Sequence, residues 1–100
     1  MIGQAIVIRA DASAPQKLSF DRMDERSFAA WLNQCVGGYF ETVGGVERAL
    51  GLRAVAFANE DGMRLELPPN VLATSMLHQH QMLLGTIVIV YGDDEFMDAL

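Results

Sequence analysis

Residues 85–91 read Gly-Thr-Ile-Val-Ile-Val-Tyr and contain the most strand-like run of the chain. The β-branched residues favour an extended backbone, and Gly85 separates the run from the preceding segment. Successive side chains of a strand point to opposite faces, so this run is apolar on both of them. Strands of that kind are covered on both sides. We therefore predict that residues 86–91 form a central strand of a sheet.

The clearest helical pattern lies earlier in the chain, over residues 25–36. Its apolar residues fall at spacings of three, four, seven and eight, which is one continuous helical face: Phe28, Trp31, Leu32, Cys35 and Val36. Asp24 or Ser27 can cap the N-terminus, and Gly37-Gly38 ends the helix because glycine readily adopts the left-handed conformation. We predict a main amphipathic helix packed on one face of the sheet.

A hairpin and one further strand are predicted in the first half of the chain. Residues 4–21 read as a hairpin, with turn chemistry at Asp11–Pro15 between an apolar run and an alternating one. Residues 39–43 read as another strand, with Tyr39, Glu41 and Val43 on one face. Residues 46–51 fit either one short helical turn or a loop, and the pattern does not decide between them.

A second hairpin is predicted over residues 53–67. Asp61-Gly62 is a strong turn signal, with Gly62 expected to supply a positive φ. Met63, Leu65 and Leu67 would share one face of the second strand. Pro68-Pro69 ends that strand, since neither residue can donate to a ladder. Asn70 is placed to cap a short helix from Val71 to about His80.

These elements predict one α+β domain over residues 1–100. Its sheet is mixed or antiparallel with about five strands, and a second, short helix accompanies the main one. Residues 92–100 form an acidic tail that is frayed or singly helical. The predicted core consists of Phe28, Trp31, Leu32, Val36, Phe57, Leu65, Ile87 and Ile89.

Composition narrows the classes of function. Seven basic and thirteen acidic residues give a net charge of −6, which repels phosphate backbones and disfavours direct nucleic-acid binding. The apolar runs are too short to span a membrane, and the start of the chain lacks the basic segment of a signal peptide. A single cysteine fits a reducing compartment. We expect a cytoplasmic protein with no membrane association.

No catalytic or metal-binding pattern is predicted. His78 and His80 are two ligands where a zinc site needs three or four, and they would diverge on a helix. Cys35 lies on the apolar helical face and is expected to be an inert core thiol. We therefore expect no metal, no cofactor and no enzymatic activity.

The acidic residues have two interpretations. Glu60-Asp61 and Asp93-Asp94-Glu95 can be solvated turn and terminal residues, which is the ordinary role of such charges. They can also present carboxylates to the basic groove of a partner, in the manner of DNA phosphates. Under the second interpretation these residues are the candidate partner-binding site.

The order of several short segments is similar to that of a known family. The resemblance spans about residues 4–95 and rests on these segments in order: Val36-Gly37-Gly38-Tyr39-Phe40-Glu41, Ala58-Asn59-Glu60-Asp61-Gly62, Leu67-Pro68-Pro69-Asn70, and Ile87-Val88-Ile89-Val90 with Gly92-Asp93-Asp94. The chain resembles a family of unknown function made of small acidic domains common in bacteriophages, plasmids and actinobacterial and other bacterial genomes. It departs from the pattern at Gly85-Thr86, where many relatives carry Gly-Asp, and in extra residues around 46–52. The resemblance implies an accessory protein of mobile-element origin and assigns no catalytic residue.

These observations support three hypotheses of function. The first is a non-enzymatic phage- or plasmid-type protein that binds a host protein in the host cytosol and inhibits a bacterial defence nuclease or complex, including by acidic DNA mimicry. The second is a self-associating structural domain, with residues 86–91, residues 53–67 and the methionines contributing to a homodimer surface. The third is a metal-binding or enzymatic domain that uses His78 and His80.

Overall fold

The structure is a computed structural model that describes residues 2–21 and 24–100. It forms one five-stranded sheet with the strand order β2-β1-β5-β4-β3, in which each pair of neighbours is antiparallel. The predicted α+β fold is confirmed, and the sheet is antiparallel rather than mixed. The elements along the chain are β1 (Ile2–Ile8), β2 (Gln16–Asp21), α1 (Glu25–Val36), β3 (Phe40–Val43), α2 (Val46–Leu50), β4 (Ala54–Asn59), α3 (Val71–Met76), β5 (Ile87–Gly92) and α4 (Asp94–Asp98).

The central position predicted for the C-terminal strand is confirmed. β5 pairs with β1 on one side and with β4 on the other. Val88 and Val90 lie in the apolar cluster on one face, while Ile87 and Ile89 lie in the cluster on the opposite face. All four side chains are fully buried. β5 therefore contributes buried side chains to the apolar cluster on each face of the sheet.

Helices cover both faces of the sheet. α1 and α4 pack on the first face, and α2 and α3 pack on the second. The first cluster contains Ala5, Val7, Leu32, Val36, Phe57, Val88, Val90, Phe96 and Met97. The second contains Ile8, Val46, Ala54, Ala56, Ala58, Ala73, Leu77, Ile87 and Ile89. Three alanines of β4 belong to the second cluster, and α2 packs against that strand.

The main helix has the predicted bounds. The Asp24 side chain accepts a hydrogen bond from the Ser27 backbone N–H, and so Asp24 is the cap. Gly37 ends the helix at a φ of 79°, and the N–H groups of Gly37 and Gly38 both donate to the Asn33 carbonyl. α1 leaves the β2 edge of the sheet and reaches the β3 edge, so it crosses the whole first face.

The second predicted hairpin is wrong. Residues 61–66 form turns rather than a strand, Met63 is 85% exposed and Leu65 is 45% exposed. The physical reason is that β3 and β5 occupy both edges of β4, which leaves no edge for a further strand. The prediction that Leu65 lies in the core is therefore wrong. The left-handed residue of this segment is Glu66, at a φ of 53°, and not Gly62.

The neighbouring elements refine other predictions. Residues 46–50 form the short helix α2, which decides the alternative that the pattern left open. α3 ends at Met76 rather than near His80, because His78 adopts a left-handed φ of 50°. β3 begins at Phe40, one residue later than predicted, and Tyr39 is exposed.

A buried asparagine fixes the start of α3. The Asn70 side chain accepts from the Ala73 backbone N–H, which confirms the predicted cap. Its amide nitrogen also donates to the carbonyls of Ile8 and Gly85, at 2.8 and 2.9 Å. The Asn70 side chain thereby joins the end of β1 and the residues before β5 to the start of α3. Asn70 is a structural residue, since all of its side-chain bonds go to backbone groups.

The C-terminal residues form a short helix. Asp93 caps α4 by accepting from the Phe96 backbone N–H, and Phe96 and Met97 are buried against the first face. Of the two states predicted for this segment, the singly helical one is therefore present. The acidic side chains of the same segment remain exposed.

Candidate functional site

An apolar cavity of about 550 Å³ lies on the first face of the sheet, between α1 and α4. Its walls contain all five phenylalanines of the chain. The lining residues are Phe20, Asp24, Glu25, Phe28, Ala29, Leu32, Phe40, Phe57, Phe96, Ala99 and Leu100. We call this space the aromatic cavity. Its volume falls in the range of small-molecule binding pockets, about 300 to 1,000 Å³.

The aromatic rings contact one another around the cavity. Phe20 and Phe96 meet edge to face with centroids 5.6 Å apart, and Phe40 and Phe57 do so at 5.3 Å. Phe28 reaches Phe57 at 6.3 Å from the α1 side. Such edge-to-face pairs are favourable because the positive ring edge of one meets the negative face of the other. The rings therefore form a connected wall.

Two paired glycines allow Phe96 to lie against the sheet. Gly3 of β1 and Gly92 of β5 are partners in the ladder. A Cβ on Gly3 would lie 2.4 Å from Phe96 Cζ, and a Cβ on Gly92 would lie 2.6 Å from Phe96 Cδ1. Side chains cannot approach so closely, since carbon contacts are normally about 3.5 to 4.0 Å. The two glycines thus set the position of one wall of the aromatic cavity.

Two carboxylates lie at the cavity, at the start of α1. Asp24 Oδ1 accepts from the Ser27 backbone N–H at 2.8 Å, and Asp24 Oδ2 accepts from the Ser27 hydroxyl at 3.0 Å. These bonds stabilise the charged form, with the backbone bond the larger cause, and they lower the pKa of the Asp24 carboxyl. Glu25 is exposed in the first helical turn beside it. The apolar cavity therefore has a negatively charged rim.

The rim belongs to a larger group of carboxylates at one end of the sheet. β1 begins there, β2 and β5 end there, and α1 and α4 start beside them. Seven acidic residues that are all exposed lie on these segments: Asp21, Asp24, Glu25, Asp93, Asp94, Glu95 and Asp98. We call this group the acidic end. It contains seven of the thirteen acidic residues of the chain.

Arginine compensates only part of this charge. Arg53, which precedes β4, lies 2.7 Å from Asp98 and 3.6 Å from Asp94. Arg26 is exposed on α1. With seven carboxylates and these two guanidinium groups, the described residues of the acidic end carry a formal charge of 2 − 7 = −5. The described residues of the acidic end are therefore strongly negative.

The structure divides the five residues predicted to bind a partner. Asp93, Asp94 and Glu95 lie at the acidic end, whereas Glu60 and Asp61 follow β4 at the opposite end of the sheet. The length of β4 separates the two groups by about 20 Å, at about 3.3 Å per residue. Asp61 is also paired, since its carboxylate lies 3.0 Å from Arg64, which lowers the pKa of Asp61.

Sequence reasoning missed the remaining acidic residues of this group and the cavity itself. Asp21, Asp24 and Glu25 are about seventy positions from Asp93 in the chain. Only the pairing of β1 with both β2 and β5 brings them to one end. The available signal was the predicted hairpin 4–21, whose second strand ends beside the cap of α1.

The thiol and the imidazoles lie elsewhere. Cys35 is half-buried on α1, and burial raises the pKa of its thiol. A reactive cysteine needs the opposite shift, so an inert thiol fits this geometry. His78 and His80 are exposed in the loop after α3. Within residues 2–21 and 24–100, no three His, Cys, Asp or Glu side chains are arranged to hold a metal ion.

In the part of the chain that the structure describes, no helix has the length and apolar character needed to cross a bilayer. The fold and the site define a small α+β domain with an acidic end and an aromatic cavity. The chain belongs to a family of domains of unknown function, DUF3846, whose family model matches residues 3–99. The expected membership in a family of unknown function is thereby confirmed. No curated protein and no solved structure matches the chain.

Proposed function

We propose that this protein is a non-enzymatic accessory protein of phage or plasmid type that binds a basic surface of a host protein through its acidic end. The observation that carries the proposal is the concentration of charge described above. Seven exposed carboxylates lie on adjacent segments, and Arg53 is already engaged with two of them. Such a field attracts cationic surfaces and accelerates their encounter.

The partner class follows from the sign of the charge. A surface of this kind repels nucleic acid and is complementary to proteins that bind nucleic acid. A bacterial defence nuclease or a subunit of its complex is the member of that class we expect, bound in the host cytosol. Carboxylates would then occupy the groove that receives DNA phosphates, and binding would inhibit or redirect the partner.

The acidic residues at the far end of β4 are not part of this proposal. Glu60 is exposed and Asp61 is held by Arg64, about 20 Å from the acidic end. They provide an internal control, because neutralising carboxylates there changes the net charge equally without touching the proposed surface.

The experiment compares two triple variants that each remove three negative charges. Asp21→Asn, Glu25→Gln and Glu95→Gln neutralise the acidic end, while Glu41→Gln, Glu60→Gln and Glu66→Gln neutralise exposed residues away from it. Tagged wild type and both variants are expressed in the bacterial host, and the captured proteins are quantified by mass spectrometry at low and moderate salt.

We expect a stoichiometric partner with wild type and with the control variant, and its loss with the acidic-end variant. Capture should also weaken as salt rises, because exposed charges are screened over about 10 Å at 0.1 M salt. Equal loss in both variants would mean that only net charge matters. A partner retained by both variants at both salts would contradict the proposed surface.

Self-association remains a separate hypothesis, and β5 cannot contribute a free face or edge to it. β5 is covered on both faces and paired at both edges, and residues 61–66 do not form a strand. Met63, Leu65 and Met82 are exposed and remain available to a dimer surface. Light scattering of the free protein tests this alternative directly.

A further inference from the structure

We propose that the aromatic cavity is a binding site for a small molecule with an apolar, aromatic body and a cationic head group. The body would occupy the space between α1 and α4, and the cation would lie beside Asp24 and Glu25. This proposal does not depend on the identity of a protein partner.

The size and chemistry of the cavity support an aromatic body. About 550 Å³ is the volume of a small-molecule pocket. The rings of Phe20, Phe28 and Phe96 present edges and faces on which a further ring can pack. Each such aromatic contact contributes about 0.5 to 1.5 kcal/mol beyond the burial of its area.

The rim supports a cationic head. Of the described residues that line the cavity, Asp24 and Glu25 are the charged side chains, and both are acidic. The start of α1 carries a partial positive charge of about one half, which opposes a cation. Two full negative charges outweigh it. Glu25 is exposed in the first turn of α1, so its carboxylate is accessible to a ligand.

The wall of the cavity includes tightly packed core residues. Phe96 is held on the Gly3-Gly92 pair, and Phe57 is buried in β4. Leu32 closes the α1 side as a fully packed core residue. A preformed apolar pocket of this kind binds without a large ordering cost.

The test uses three probes with the same body and different charge: naphthylethylamine, naphthylethanol and naphthylacetate. Binding is followed by chemical-shift changes of backbone amides in two-dimensional NMR spectra. We expect the largest shifts in α1 and α4. A unit charge about 4 Å from a carboxylate in water changes affinity about fivefold. The amine should therefore bind about fivefold more tightly than the alcohol, and the acetate most weakly.

Two pairs of variants locate the site. Ala29→Leu fills the cavity and should abolish binding, whereas Ala30→Leu, on the exposed side of the same helix, should leave it unchanged. Glu25→Gln should reduce the preference for the amine over the alcohol, since Asp24 keeps its charge. Glu47→Gln in the first turn of α2 is its matched control. If Ala29→Leu does not fold, Ala99→Leu fills the same cavity from α4.

Three results would overturn the proposal. One is the absence of shifts with the amine at millimolar concentration. Another is equal affinity for all three probes, which would leave an apolar surface without a cation site. The third is an equal effect of Ala29→Leu and Ala30→Leu. None of these outcomes bears on capture of a protein partner, so failure here is distinguishable from failure of the proposed function.

Discussion

The glycine pair beneath Phe96 gives the sharpest prediction about the architecture of the site. In Gly3→Ala the new methyl group would lie 2.4 Å from Phe96 Cζ, 2.6 Å from Phe96 Cε2 and 2.9 Å from Phe20 Cε2. Normal carbon contacts are about 3.5 to 4.0 Å, so the Phe96 ring must move by about 1 Å. The conflicting atoms all belong to side chains, and Phe96 is buried.

Overpacking of this kind costs about 1 to 3 kcal/mol. A loss of about 2 kcal/mol would lower the melting temperature of a domain this size by roughly 10 °C. Urea unfolding followed by circular dichroism measures the free energy of unfolding. Gly44→Ala is the control, because its Cβ would meet nothing within 4 Å and its φ is not in the left-handed region.

A double-mutant cycle tests the reasoning itself. In a Phe96→Leu background the shorter side chain leaves room for the methyl group, so most of the cost of Gly3→Ala should disappear. We expect a coupling energy of about 1 to 2 kcal/mol between the two positions. A cost that is the same in both backgrounds would refute the claim that Phe96 lies on this glycine. So would a Gly3→Ala variant as stable as Gly44→Ala.

Three more predictions concern stability. Asn70→Ala removes three side-chain hydrogen bonds to buried backbone groups and should lower the free energy of unfolding by about 3 kcal/mol or more. The control Gln34→Ala changes an exposed residue and should have little effect. A loss under about 1 kcal/mol in Asn70→Ala would contradict the role of Asn70. Ala12 has a left-handed φ of 65°, a conformation that costs alanine more than glycine. Ala12→Gly should therefore raise the free energy of unfolding by about 0.5 to 1 kcal/mol, since the relief of strain exceeds the entropy that glycine adds to the unfolded chain. A decrease measured by urea unfolding would contradict this prediction. The pKa of Asp24 in the folded protein lies below its usual 3.8, so the stability that its charged form contributes is present above that value and is lost as pH falls through the folded pKa. Asp24→Asn keeps the capping oxygen without the charge, so the free energy of unfolding should depend less on pH below about pH 4. An unchanged dependence on pH would contradict this prediction.

The elements with a strong periodic pattern were predictable from the sequence. The spacing of Phe28, Leu32 and Val36, together with a cap before them and glycine after them, located α1 to the residue. The two-faced apolar run 87–90 located the central strand. In both cases the local pattern and the tertiary environment agree, so local information is sufficient.

The strand predicted over residues 61–67 is wrong, because the conformation of this segment depends on the pairing of β5, a distant element. Asp61-Gly62 and the alternation after it are compatible with a hairpin when taken alone. The edge of β4 that this hairpin needs is occupied by β5 on one side and β3 on the other. Residues 87–92 thus exclude the pairing from more than twenty positions away.

The site was only partly predictable for the same reason. Asp93, Asp94 and Glu95 are visible as an acidic run, and they do lie at the acidic end. Their neighbours Asp21, Asp24 and Glu25 reach that end through the register of β1 with β2 and β5. The aromatic cavity needs five phenylalanines from separate elements, and no local pattern indicates their convergence.

The most direct test of the binding surface is a hydrogen–deuterium exchange footprint of the protein with its captured partner. Backbone amides of residues 24–29 and 93–99 are compared in the free and bound states, with residues 59–66 as the internal reference. We expect slower exchange on binding in the first two segments and no change in the third. Protection confined to residues 59–66, with the acidic end unchanged, would contradict the account.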